Sequence, residues 1–329
     1  VHVQKPFGRQ FLPTLKGWGF LVGGERGLYS NNDDVLNFIV FNCFGEACRK
    51  VHGLSREKDN MDQIHNSRRP ARIIADAGSF GFADRWLSVA RLFDAVITKT
   101  LTPSPIIGRP NAIYKVHGGW INSVGLANPG IDTYIDKIHK NNTIHKIISI
   151  HADTVLEYVE MVDKLNDLRC DGIELNLSCP NVHNSISSPE HIAQLLHAAQ
   201  RASKHEIILK ISPYQDYVGI MRVVGMTLQC VHVANTQPSL LYRRDGSVVA
   251  GGFSGKSIKY ACYKATHDIR KMCADIRIIS GGGVHSRSDV KGYLGVGADD
   301  VSVCSSVMWN PLRAWWLTRS RIEQRSSTH

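Results

Sequence analysis

The stretch RIISGGG, residues 277–283, decides how the fold is read. Two β-branched residues, Ile278 and Ile279, are followed by Ser280 and three consecutive glycines. β-branched residues fit a pleated, half-buried surface. Glycine allows the backbone to approach a ligand closely. A short strand ending on glycines is therefore a place for a phosphate, held on backbone N–H groups. Seven more apolar runs share this character. They are ARIIADAG (71–78), AVITKT (95–100), IISIHA (147–152), GIELNLS (172–178), IILKIS (207–212), CVHVANT (230–236) and DDVSVCSS (299–306). Several are continuously apolar, as parallel strands covered on both faces are.

The segments between these runs read as helices. In TVLEYVEMVDKL (154–165), Val155, Val159 and Val162 share a face, with Leu156 and Leu165 alongside. SPEHIAQLLHAAQRA (188–202) opens with Ser-Pro and then Glu190, a good helix start. Alternating strands and helices imply βαβ units. Eight such units over roughly 260 residues suit an α/β fold of the (β/α)8 TIM barrel type. A doubly wound open sheet is the alternative, and it carries a G-x-G-x-x-G turn after its first strand. Here that turn reads GSFGFADR (78–85). The expected organisation is a barrel over 71–329 preceded by an N-terminal extension over 1–70. SREKDNMDQIHNSRRP (55–70) reads as a polar linker at its end.

Composition narrows the function. Hydrophobic residues make up 43% of the 329 and charged residues 21%, as in an ordinary globular protein. No apolar run approaches the ~20 residues of a membrane span. The longest candidate, Leu36 to Phe44, is broken by Asn37 and Asn42. VHVQKPFGRQ (1–10) lacks the apolar core of a signal peptide. No membrane partner is expected, and the location expected is cytoplasmic. The net charge is +10. Its basic clusters are short and scattered: Arg68 with Arg69, Arg243 with Arg244, and Arg319, Arg321 and Arg325. That is not a nucleic-acid face. The eight cysteines form no CxxC pair, which suits a reducing compartment without disulfides. Cys43 and Cys48 lack the further cysteine that a plant-type iron–sulfur cluster needs, so no metal is expected.

Barrel chemistry sits at the carboxyl ends of the strands. Those ends carry Ala77-Gly78-Ser79, Lys99-Thr100, Asn176 with Cys179 and Asn181 beyond it, Lys210, Asn235-Thr236, Gly281-Gly282-Gly283 and Cys304-Ser305. The glycines and the Cys-Ser pair close strands seven and eight, where barrels commonly hold a phosphate. A phosphorylated cofactor or substrate is expected. Lys99 and Lys210 are either surface lysines or fixed charges for an anionic ring or carboxylate. Asn122, Asn176, Asn181 and Asn235 are either turn residues or a converging set of amides. Each amide offers both a donor and an acceptor to a planar ligand. Cys179 is either an inert thiol or a base.

Several stretches in combination are more specific. They are ITKT (97–100), INSVGLANPGID (121–132), ELNLSCPNV (174–182), LKISP (209–213), VANT (233–236), GGFSG (251–255) and IISGGGV (278–284). Over about 71–316 the chain resembles dihydroorotate dehydrogenases, the flavin barrels of pyrimidine synthesis. The resemblance implies FMN as cofactor and oxidation of dihydroorotate to orotate. It implies Cys179 as the base, since soluble members carry cysteine in this loop and membrane-linked members serine. GLANPGID resembles the subgroup that passes electrons to NAD through a flavin and iron–sulfur partner subunit. Soluble members form homodimers, so the resemblance implies a homodimer here. By the same resemblance, Asn122, Asn176, Asn181, Asn235 and Thr236 hold the substrate, and Lys99 lies between substrate and flavin. Lys210 takes the flavin N1/O2 edge, and Ala77, Gly78 and Ser79 turn against the flavin. Ser254, Gly255, Gly282, Gly283, Cys304 and Ser305 surround the FMN phosphate.

The chain departs from the family pattern in places. Cys304-Ser305 stands where Gly-Thr is usual, and His151 stands where a small residue is usual, crowding the pocket. KPFGRQF (5–11) and FLVGGERGLYS (20–30) faintly resemble the electron-transfer subunit, as a degenerate fusion remnant. The rival functions are another FMN barrel reducing pyrimidine bases or tRNA uridines, and a flavin-free scaffold barrel.

Overall fold

Eight parallel strands close on themselves in the computed structural model of the chain. The structure describes residues 69–110, 112–139, 143–178, 186 and 188–318. The chain divides into two units, Val1–Arg69 and Pro70–His329, and the barrel belongs to the second. Its strands are β1 (Ile73–Ala75), β2 (Ala95–Ile97), β3 (Ile113–Val116), β4 (Gly119–Asn122), β5 (Lys146–Ile150), β6 (Gly172–Asn176), β7 (Ile207–Ile211), β8 (Cys230–Val233), β9 (Gln237–Tyr242), β10 (Val248–Gly255), β11 (Arg277–Gly281) and β12 (Asp300–Val303). The helices are α1 (Leu87–Ala90), α2 (Ile131–Thr133), α3 (Val155–Leu165), α4 (Pro189–Ala202), α5 (Tyr217–Val224), α6 (Lys259–Met272), α7 (Arg287–Gly295) and α8 (Ser305–Met308).

The barrel runs β1-β2-β5-β6-β7-β8-β11-β12 and back to β1. Each of the eight apolar runs supplies one of these strands, and closure excludes the open doubly wound sheet. The helices expected at 154–165 and 188–202 form as α3 and α4. Thr154 and Glu157 cap α3 reciprocally, and the Ser188 side chain caps α4 ahead of Pro189. One layer has no signal in the sequence pattern. β3, β4, β10 and β9 form a separate antiparallel sheet in that order. Its strands leave the barrel after β2 and after β8, so two insertions meet to make it. Glycines permit the meeting: a Cβ at Gly119 or Gly255 would collide with backbone of the facing strand.

Alternation along the strands divides the barrel wall. One face of β1 and β5, with Ile73, Ala75, Ile148 and Ile150, packs into the two large outer apolar clusters. The other face turns Ile74, Ala95, Ile97, Ile147, Ile208, Cys230 and Ile279 into one small cluster inside. Side chains two residues further along a strand lie on the same face. That places Asp76, Lys99, Ser149, Lys210 and His232 above the apolar layer, toward the carboxyl ends. The amino-terminal end is closed by ions: Arg277 bonds both Glu206 oxygens at 2.6 and 2.8 Å and Asp300 at 3.2 Å. Among the described residues, no helix is long and apolar enough to cross a membrane.

The start of α7 carries a test of this layer. Asp289 accepts from the His285 and Ser286 N–H groups, each at 2.9 Å, and from Lys259 Nζ at 2.7 Å. Burial opposes its charge, but Lys259 and these donors prevail and lower its pKa from 3.8 to about 2. A carboxylate with a depressed folded pKa stabilises above its unfolded pKa and loses that contribution as pH falls through the folded one. Asp289→Asn is expected to cost about 2 kcal/mol at neutral pH. The gap from wild type should close as pH falls from 3.8 toward about 2. Urea unfolding of both proteins across that window checks it; a gap that persists at the acid end rules the linkage out.

Candidate active site

The upper interior is an ionised cluster built from neighbouring strands. β6 and β7 pair with Asn176 beside Lys210, and β7 and β8 pair with Lys210 beside His232. Lys210 Nζ lies 2.8 Å from Asp76 Oδ1 and 3.7 Å from Glu174 Oε1. Glu174 also holds His232 Nδ1 at 2.6 Å, so that nitrogen carries the proton and donates to the carboxylate. His232 Nε2 meets Ser302 Oγ at 2.9 Å. Ser149 Oγ donates to Glu174 at 2.8 Å and lies 3.0 Å from Thr100 Oγ1, which accepts from the Asn176 amide at 3.0 Å. Glu174 and His232 are fully buried, and Lys210 is 5% exposed. Burial works against every charge here. For Lys210 it is more than offset by Asp76 and Glu174, which hold the ammonium above the ordinary lysine range. For Asp76 and Glu174 burial is outweighed by Lys210 and His232, which keep both carboxyls below their ordinary range.

This cluster forms the floor of a cavity of about 560 Å³ at the carboxyl ends of the strands. That volume lies within the roughly 300–1,000 Å³ typical of small-molecule and cofactor pockets. Most of the singled-out residues line it: Ala77, Gly78, Ser79, Lys99, Asn122, Asn176, Lys210, Asn235, Thr236, Ser254, Gly282, Gly283, Cys304 and Ser305. Gly255 does not. It is buried, and a Cβ there would collide with the Gly118 carbonyl, so its lack of a side chain serves strand packing. His151 does not crowd the cavity either. It is buried, with Nδ1 on the Asn176 carbonyl at 2.9 Å and its ring edge-on to Tyr158. Tyr158 on α3 gives the imidazole a partner behind the strand. Cys179 and Asn181 lie outside the described residues.

Asn122, Asn176 and Asn235 are engaged with the protein. The Asn235 amide donates to the Ser178 carbonyl at 2.6 Å and its hydroxyl at 2.8 Å. It therefore anchors the residue that precedes Cys179. Asn122 donates to the Gly252 carbonyl at 3.2 Å and ties the second sheet together beside the cavity. The lysines differ from each other. Lys210 is ion-paired. Lys99 has no carboxylate partner among the described residues, and burial followed by the nearby Arg85 lowers its pKa. Lys99 and Arg85 both line the cavity, so it carries positive charge besides the paired Lys210.

Other features were not legible in the sequence. Asp76 stands just before Ala77, and nothing local marks it. The Trp120 and Trp309 indoles stack at the cavity with centroids 3.7 Å apart and planes within 10°. They are remote in sequence, and no local pattern joins them. Trp86 and Leu126, at φ of 47° and 54°, also line the cavity. Positive φ in such residues is strained, and strain gathers at functional sites. Gly282 and Gly283 have φ of 106° and 66°. A Cβ on Gly283 would come within 2.8 Å of the Lys256 carbonyl and 2.9 Å of the Gly255 carbonyl. The Tyr293 hydroxyl fixes this turn by donating to the Gly282 carbonyl at 2.6 Å.

A closed (β/α)8 barrel with an ionised floor and an open, cationic cavity at its carboxyl ends has the form of a barrel enzyme. Comparison with known proteins sharpens this. The dihydroorotate dehydrogenase family profile matches residues 62–318. The dihydroorotate dehydrogenase B (NAD(+)) catalytic subunit of Alkaliphilus metalliredigens is 30% identical over 257 residues, covering 73% of this chain and 84% of that protein. The subunit of the same name from Petrotoga mobilis is 30% identical over 263 residues, with 73% and 85% covered. Among solved structures, Eimeria tenella DHODH in complex with ferulenol superposes with a TM-score of 0.65 at 20% identity. It covers 77% of this chain and 82% of that one, a likeness of fold. The chain belongs to the dihydroorotate dehydrogenase family, whose enzymes are oxidoreductases acting on a CH–CH donor.

Proposed function

We propose that this protein oxidises dihydroorotate to orotate, with FMN held in the cavity at the carboxyl ends of the barrel strands. The observation that carries the reading is convergence: Lys99, Asn122, Asn176, Lys210, Gly283 and Ser305 come from separate strand ends and line one cavity. The fit to FMN rests on the same cavity. Its volume suits a cofactor, and Gly78, which lines it at φ of 87°, has open space where a Cβ would stand. Ala77, Gly78 and Ser79 would face the ring, and Ser254, Gly282, Gly283, Cys304 and Ser305 the phosphate. The chemistry that FMN would supply there is that of an acceptor for the hydride from C6 of dihydroorotate.

The remaining work falls to the chain. Cys179 takes the C5 proton as a thiolate, and the C5–C6 double bond of orotate forms as the C5 proton and C6 hydride leave. Asn235 holds Ser178, the residue before the cysteine. Lys99, with Asn122, Asn176, Asn181 and Thr236, orients the carboxylate and the ring amides, which is the entropic part of catalysis. The positive charges of Lys99 and Arg85 in the cavity lining attract the anionic substrate. Because the relatives are named catalytic subunits of NAD(+) enzymes, a flavin and iron–sulfur partner is proposed to pass the electrons on to NAD.

The test is anaerobic mixing of the purified full chain with dihydroorotate, following the visible flavin absorption. Rapid bleaching is expected. A bound flavin that stays oxidised points instead to a reductase of pyrimidine bases. Protein that stays colourless after addition of FMN points to a scaffold barrel.

A further inference from the structure

Lys210 does not face the cavity as a lone cation. Its ammonium is shared between Asp76 at 2.8 Å and Glu174 at 3.7 Å, and His232 lies against both carboxylates, at 2.6 Å from Glu174 and 4.0 Å from Asp76. Asp76 lines the cavity beside Lys210. Glu174 is the anchor behind, fully buried and held by Ser149. Two carboxylates thus face one lysine. Whichever form His232 takes, these four groups together carry no net positive charge.

The Asp76 backbone also fixes the geometry. Its N–H bonds the Val303 carbonyl at 2.9 Å, and its Oδ1 accepts from the Ala77 N–H at 2.6 Å. Its carboxylate is thereby held by the β1 turn as well as by Lys210. At low effective dielectric, a fixed charge a few ångströms away acts strongly on any charge formed in the cavity. A ring that gains two electrons beside Lys210 gains negative charge. A neighbouring carboxylate opposes that gain, and the ammonium favours it.

We propose that Asp76 is a positioning residue that holds the Lys210 ammonium in the cavity and offsets its charge, so that the bound ring is reduced at a lower potential than Lys210 alone would set. Glu174 anchors the pair from below. This inference rests on the proposed FMN site. It adds that the site is tuned toward giving electrons up, as delivery to a low-potential acceptor requires.

The experiment is the midpoint potential of FMN bound to the full chain, measured against reference dyes with an enzymatic reductant and no dihydroorotate. Wild type is compared with Asp76→Asn, Asp76→Ala and Asp76→Glu. Asn and Ala should shift the oxidised-to-reduced ratio at a fixed poise at least ten-fold toward the reduced form, about 30 mV for a two-electron couple. Glu keeps the charge and should stay near wild type. Asn and Ala values equal to wild type overturn the proposal, as does a Glu value that moves with them. Where a variant does not retain FMN, competitive acylation of the apo-protein reads the same pairing: Lys210 should react at least ten-fold faster in Asp76→Asn, and equal reactivity overturns it. Failure of the function reading looks different. Then dihydroorotate leaves the flavin oxidised while the dye titrations still order the variants.

Discussion

Cys179→Ser should leave FMN bound and slow its reduction by dihydroorotate by about 100- to 10,000-fold, the range a positioned general base contributes. Serine keeps the shape of the side chain and loses its acidity. The thiolate is the active form, and a free cysteine ionises near pH ~8.5. In wild type the rate of the reductive half-reaction should therefore rise with pH until the thiol is ionised, and then level. In the serine variant that rise should vanish, because the hydroxyl does not ionise in the accessible range. Stopped-flow mixing with dihydroorotate at several pH values reads both features. A serine variant reduced at near wild-type speed, or one that keeps the wild-type pH profile, removes Cys179 from the role of base.

Lys210→Met should have the largest effect on the protein as a whole. It removes the cation between Asp76 and Glu174 and leaves the half-buried Asp76 carboxylate facing the fully buried one of Glu174. Breaking a buried ion pair by deleting one partner costs about 3–5 kcal/mol. For a domain of this size that lowers Tm by on the order of 10 °C. FMN should also be lost, since the same ammonium faces the cavity. Adding Glu174→Gln to Lys210→Met should recover part of the stability, because one uncompensated charge is gone and the two sites are coupled. Calorimetry of the single and double variants checks this. A Lys210→Met protein as stable as wild type would show that the cluster adds nothing to the fold.

The two variants probe residues whose legibility in the sequence differs. Cys179 stands out by its neighbours, Ser178, Pro180 and the asparagines on either side, and it lies outside the described residues. Lys210 is visible as a lysine at a strand end, where a barrel puts its chemistry. Its pairing with Asp76 is not, since 134 residues separate them and no local pattern connects them. His151 shows the opposite error. From the sequence a large side chain at that strand end crowds the pocket; in the fold Tyr158 and the Asn176 carbonyl draw the imidazole into the wall. The resemblance sets Gly255 in a segment around the phosphate; what the sequence does not show is that a side chain there would collide with the Gly118 carbonyl.

The sequence by itself determined the barrel and its eight strands. Hydrophobic periodicity is local, and it reports a strand's two covered faces wherever the strand lies. Strand ends follow from strand positions, so the residues that line the cavity were largely readable as well. What only the tertiary structure decided were the relations between ends. These are the second sheet made from two distant insertions, the Trp120–Trp309 stack, and the sharing of one ammonium between Asp76 and Glu174. Each depends on which strands become neighbours when the barrel closes and on how charges settle once water is excluded. A one-dimensional pattern carries neither.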